Sequence, residues 1–164
     1  MKVIFLDFDG VLNCSVSLNK HWREHGNNKC VSPSKVERLN RIIEETGAVC
    51  VVSSTWRQLY TVNELRTFLA EAGFQGNVID ITPTEPGTGI HTWRNHRGHR
   101  GSEIQLWMNT NKDKIESFVI LDDDDDMGHL SPFLVQTDYH NYGLQDKHVQ
   151  EAIAILKKAQ KRNT

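Results

Sequence analysis

The chain has 164 residues, 38% of them hydrophobic and 24% charged, with a formal net charge of −2. Its length suits a single domain, since soluble domains run to roughly 100–150 residues, and its composition excludes a disordered or collagen-like chain. Near-neutral charge excludes a molecule drawn wholesale onto nucleic acid or anionic lipid, so any affinity for phosphate has to be local.

Val3–Leu6 is a short β-rich apolar run, and it predicts a buried strand delivering its carboxyl end to the acidic turn Asp7-Phe8-Asp9-Gly10. Asn13–Val31 shows no periodicity and reads as an irregular stretch. Ser32-Pro33, with Ser34 and Glu37, supplies helix-start signals; Val36, Leu39, Ile42 and Ile43 follow at helical spacing until Gly47 stops the helix. Ala48–Val52 is the second predicted strand, and it ends in Ser53-Ser54-Thr55. Thr61 and Glu64 form a capping box for a helix carrying Leu65, Phe68 and Leu69, with Gly73 as its stop and Asn77–Ile81 as the third strand. Thr82–Gly101 is a second irregular stretch, after which Ser102 opens a helix through Ile104, Leu106, Trp107 and Met108. Phe118–Leu121 is a strand running into the aspartates Asp122–Asp126, Phe133–Thr137 a weaker one, and Asp146 to about Lys161 a final helix with Val149, Ile153 and Leu156 on one face.

This alternation implies an α/β fold: a three-layer, Rossmann-like, mainly parallel sheet with helices on both faces and ligands beyond the carboxyl ends of the strands. Both irregular stretches begin on that face, and at about twenty residues each they are too short for a large cap domain. Cys14, Cys30 and Cys50 are an odd, widely spaced set without C-x-x-C, which argues against a disulfide framework or a zinc site and for a reducing, cytoplasmic setting. No apolar run approaches the roughly 18–20 residues that span a bilayer, and Asp7 and Asp9 interrupt the start MKVIFL before it resembles a signal peptide. Neither membrane nor export is expected.

Three strand ends present polar groups together: Asp7 and Asp9, then Ser53 and Ser54, then Asp122 and Asp123. Carboxylates gathered from separate strands repel and raise one another's pKa unless a cation neutralises them, and oxygen ligands alone favour Mg²⁺. In this order FLDFDGVLN, VVSST and VILDD resemble the first, second and fourth motifs of the haloacid dehalogenase-like (HAD) hydrolases. More narrowly, DGVLN, SSTWR and ILDDD are similar to the small HAD domains of Swiss Army Knife RNA-repair proteins.

The resemblance implies that Asp7 attacks phosphorus to form an aspartyl-phosphate, and that Asp9 protonates the leaving oxygen and later takes a proton from water. It implies Mg²⁺ held by Asp7, by the backbone carbonyl of Asp9 and by Asp122 or Asp123, with Ser53, or the neighbouring Ser54, gripping a phosphoryl oxygen. For the basic residue of the third motif Arg100 fits best, with Arg97 and Lys112 as alternatives. The segment HTWRNHRGHRG holds Arg94, Arg97, Arg100 and Trp93 with no acid between Glu85 and Glu103, which suits further phosphates and a stacked base; Arg57 is expected to face the same basin. The plain account of Asp124 and Asp125 is a solvated turn, of Cys14 a buried inert thiol, and of Trp107 and Met108 core, while Asp126 is a candidate partner of the site.

An uncapped site needs a bulky substrate to exclude water, so the expectation is a Mg²⁺-dependent phosphatase acting on a nucleotide, a polynucleotide end or another large phosphoester. The competing expectation is a catalytically silent module that binds phosphate or nucleic-acid ends within a repair complex.

Overall fold

A computed structural model describes residues 1–27, 29–84 and 100–158. The elements in chain order are β1 (Lys2–Leu6), α1 (Ser15–His25), α2 (Pro33–Thr46), β2 (Val49–Val52), α3 (Val62–Glu71), β3 (Val78–Ile81), α4 (Arg100–Asn111), β4 (Ser117–Asp122), β5 (Leu134–Gln136) and α5 (Asp146–Lys157). The strands form one five-stranded sheet in the order β3-β2-β1-β4-β5, and every pairing is parallel.

Strand alternation builds the layers. Ile4, Leu6, Cys50, Val52, Val119 and Leu121 point to one face, where α2, α3 and α5 bring Leu39, Leu65 and Val149. Val3, Phe5, Val51, Phe118 and Ile120 point to the other, against Ile104 and Trp107 of α4 and against Met127 and Leu130. Each fully buried aliphatic or aromatic side chain contributes roughly 1.5–3 kcal/mol by leaving water. With both sheet faces covered, the strands have no polar side, which is why they read as continuous apolar runs.

The chain adds β2 and β3 on one side of β1, then crosses to add β4 and β5 on the other. The direction of winding therefore reverses between β1 and β4, and a crevice opens there at the carboxyl ends of the strands. Register aligns those ends: Leu6 pairs with Val52 and with Leu121, the Asp7 N–H donates to the Leu121 carbonyl at 3.0 Å, and the Ser53 N–H donates to the Leu6 carbonyl at 3.0 Å. By alternation Asp7 follows Val3 and Phe5, Ser53 follows Val51, and Asp122 follows Phe118 and Ile120, so all three lie on the α4 face.

Two expectations need correction. Asn13–Val31 is not irregular throughout, since it contains α1, a helix without a single buried residue; with no apolar stripe to bury, it carries no helical periodicity for sequence to reveal. α4 begins at Arg100 rather than Ser102. The Asp126 carboxylate accepts the Arg100 N–H at 3.4 Å and the Asp126 carbonyl accepts the Gly101 N–H at 3.3 Å, so the cap comes from across the fold. A Cβ on Gly101 would run into the Met127 backbone, and this close approach locks the start of α4 onto the loop after β4. The final helix ends at Lys157. No large cap domain occurs among the described residues, and none of their helices is long and apolar enough to cross a membrane.

Candidate active site

Asp7, Asp122 and Asp123 each bring a carboxylate oxygen within 4.8 Å of the others. Asp7 and Asp122 are buried, at 4% and 0% exposure. Asp123 packs on Gly10, whose φ of +73° and missing Cβ admit it, since a Cβ there would lie 2.6 Å from that of Asp123.

Arg100, at the first turn of α4, enters this cluster from the α4 side. Its Nη2 lies 3.8 Å from Asp7 Oδ2 and its Nε 3.2 Å from Asp122 Oδ2, the latter out of line for a hydrogen bond, while its Nη1 has no hydrogen-bond partner. Burial alone would lower the guanidinium pKa, but Asp122 and Asp7 outweigh it and raise it. Lys112, the alternative third-motif base, is exposed in the turn after α4, about 18 Å along the helix by its rise per residue. Arg94, Arg97 and Trp93 lie outside the described residues.

One guanidinium does not neutralise three carboxylates, and burial makes the remaining charge harder to hold. Burial raises the pKa of Asp7, with Arg100 opposing. Burial raises that of Asp122 well above its usual value, again against Arg100 and with Asp7 adding to the rise. Asp123 is pushed up to about 7 by burial and then by Asp7. Three oxygen donors, one of them the buried Asp122 Oδ2 that accepts no hydrogen bond, and negative charge in excess of one guanidinium fit a hard divalent cation such as Mg²⁺.

This chemistry has a measurable pH signature. The folded pKa of Asp123 lies above the unfolded value of roughly 3.9, so the folded state holds the extra proton and its stability from this group falls as pH rises toward about 7. A cation replaces that proton. Without metal the melting temperature is expected to fall between pH 5 and pH 8, and Mg²⁺ to raise it far more at pH 8 than at pH 5; an equal rise at both would mean the cluster is not where Mg²⁺ acts.

Asp9 is held apart from the cluster. Its Oδ1 accepts from Asn13 Nδ2 at 2.8 Å and its Oδ2 from Trp56 Nε1 at 3.0 Å. Asn13 also accepts the Gly10 N–H through Oδ1 at 3.1 Å, so one buried amide fixes both the turn and the carboxylate. Sequence reading missed Asn13, although its place four residues after Asp9 in the first motif was a usable signal. Ser53 Oγ is fully buried without a hydrogen-bond partner, whereas Ser54 Oγ accepts the Trp56 N–H at 3.3 Å and the Ser54 side chain hydrogen-bonds Asp7.

Arg57 departs from expectation. Its guanidinium, 2% exposed, pairs with Glu103 of α4 and donates to the carbonyls of Ser53 at 2.9 Å, Ser54 at 2.7 Å and Thr82 at 3.1 Å. It clamps the ends of β2 and β3 to α4, with its donors spent inside the fold. Asp124 and Asp125 are exposed, as a solvated turn requires. Trp107 is core, its Nε1 donating to Asp80 at 2.6 Å; Met108 is partly buried against the same cluster. Cys14 is buried, yet its thiol pKa is lowered because hydrogen bonds from Ser17 outweigh the upward push of burial.

Buried carboxylates from two strand ends, an aligned hydroxyl after a third, and a guanidinium entering from a helix start can together hold a cation and an oxyanion side by side. No curated protein and no solved structure matches the chain. A family model does: the HAD domain in Swiss Army Knife RNA repair proteins matches residues 3–149. Spanning β1 to α5 and every strand end described above, that match places the chain in this HAD domain family.

Proposed function

We propose that the chain is a single-domain, cytoplasmic, Mg²⁺-dependent phosphohydrolase that releases phosphate from a nucleotide or polynucleotide end. The observation that carries this reading is a pair of buried donors without partners, Ser53 Oγ and Arg100 Nη1, beside the carboxylate cluster. A buried polar group left unmatched costs about 1–3 kcal/mol, and the equatorial oxygens of a phosphoryl group offer the acceptors these two lack. The RNA-repair description of the family supports a nucleic-acid end as the substrate.

Asp7 forms the bond to phosphorus as the ester bond breaks, while Asp9 gives its proton to the departing oxygen. Asp9 then takes a proton from water, which attacks phosphorus and frees Asp7 together with inorganic phosphate. Trp56 and Asn13 keep Asp9 aimed through both steps. Ser53 and Arg100 hold the charge that spreads over the equatorial oxygens. Asp7, Asp122 and Asp123 would hold Mg²⁺, which would supply the positive charge that lets an anionic nucleophile meet an anionic phosphate.

The test is phosphate release from 3′- and 5′-phosphorylated oligonucleotides, mononucleotides and an aryl phosphate, with Mg²⁺ and with EDTA. Release with Mg²⁺, none with EDTA, and the highest kcat/KM on one kind of polynucleotide end are expected. Tight binding of phosphorylated ends with no release from any substrate would replace the enzyme with a silent binding module.

A further inference from the structure

A cleft of about 870 Å³ opens beside Asp9, walled by Trp22 of α1 on one side and by Trp56, Tyr60 and Tyr139 elsewhere, with Lys29 at its edge. We propose that this cleft seats the terminal base of a phosphorylated nucleic-acid end, stacked on Trp22 and Tyr60. The inference rests on the phosphohydrolase reading: Asp9 is the group that protonates the departing oxygen, so whatever fills the space beyond it belongs to the leaving group. In a polynucleotide end, that is the terminal nucleoside.

α1 is the element that demands an account. It buries no residue in the core, so core packing does not explain why a helix stands there. Leu18 and Trp22, one turn apart, both line the cleft, and Trp22 is 55% exposed. A tryptophan left in water on the wall of a cleft of nucleotide size is a stacking platform awaiting a flat partner. The other aromatic rings of the lining are packed against the fold. Trp56 packs against Phe8 at 5.0 Å and Tyr60 against Phe68 at 5.0 Å between ring centroids, and the Lys29 ammonium lies 5.4 Å from the Tyr60 ring centre.

Chemistry selects a base over a phenol ring. Asn19 also lines the cleft, and an amide matches the mixed donors and acceptors on a base edge. Lys29 adds the positive charge that the next phosphate of a strand calls for. Asp9 and Trp56 aside, its lining residues are ones that sequence reading passed over in favour of the arginine-rich segment.

The test compares an oligonucleotide phosphorylated at its 3′ or 5′ end with the same molecule made abasic at that terminal nucleoside. Wild type is expected to favour the base-bearing end about tenfold in kcat/KM, the usual scale of one base stacked on an aromatic side chain. Trp22→Ala is expected to abolish the preference and Trp22→Phe to restore most of it. Fluorescence anisotropy of the labelled oligonucleotides bound to Asp7→Asn protein should show the same order in affinity. A preference absent in wild type, a preference surviving in Trp22→Ala, or a higher kcat/KM on a phosphotyrosine peptide overturns the base subsite. Should wild type release no phosphate while the Trp22-dependent preference in binding persists, the hydrolase reading falls and the base subsite stands.

Discussion

Asp7→Asn is expected to lower kcat by at least about 10³-fold, the scale seen when a covalent nucleophile is removed, while the protein stays folded. An amide oxygen can still accept the Phe8 N–H, now 2.8 Å from Asp7 Oδ1, so the turn keeps its geometry. Stability should not suffer in the absence of metal. The Asp7 carboxyl is held above its usual pKa by burial, and its charge also raises the pKa of Asp122 and Asp123; removing it relieves both strains. Arg100 loses a 3.8 Å contact but keeps Asp122 at 3.2 Å. The variant is therefore expected to melt at or above the wild-type temperature without Mg²⁺ and to gain less from adding it, since one of three oxygen ligands has lost its charge. Single-turnover kinetics and melting curves at pH 8 check both halves. Turnover within about tenfold of wild type would remove Asp7 from the nucleophile's place.

The parts of this fold legible in sequence are those with a local cause. Val3–Leu6 and Phe118–Leu121 announce themselves because strands buried on both faces must be apolar without interruption. The carboxyl-end convergence of Asp7, Ser53 and Asp122 follows from parallel topology alone, and the structure adds the register and the shared face. What sequence does not carry is partnership across the fold. Glu103 sits in the first turn of α4 as an ordinary acidic residue, and only folding brings it to Arg57, 46 positions away. Asp126 looks like one more aspartate in a run until its carbonyl and carboxylate meet the start of α4. α1 escapes detection for the opposite reason: with nothing buried, it has no pattern to show.

Arg57→Met is expected to destabilise the protein by about 3–5 kcal/mol, the range for breaking a buried ion pair from one side. The pair is 2% and 6% exposed, so methionine takes the guanidinium's counter-charge away from Glu103 in a dry interior. It also strips donors from the Ser53, Ser54 and Thr82 carbonyls. Glu103→Leu alone is expected to do comparable damage by leaving Arg57 buried and charged. The double variant should recover much of the loss, because two apolar side chains of matching volume involve no ionic desolvation, and the non-additivity measures the coupling. Recovery of stability is not expected to bring full recovery of kcat. Two of the three carbonyls that Arg57 holds belong to Ser53 and Ser54, so their release loosens the hydroxyl that aligns a phosphoryl oxygen. Denaturant melts of the two single variants and the double, read beside their kcat and KM, separate this clamp from a substrate ligand. A substrate ligand predicts the reverse pattern: Arg57→Met folding within about 1 kcal/mol of wild type, a scale typical of an uncoupled site, with its loss confined to KM.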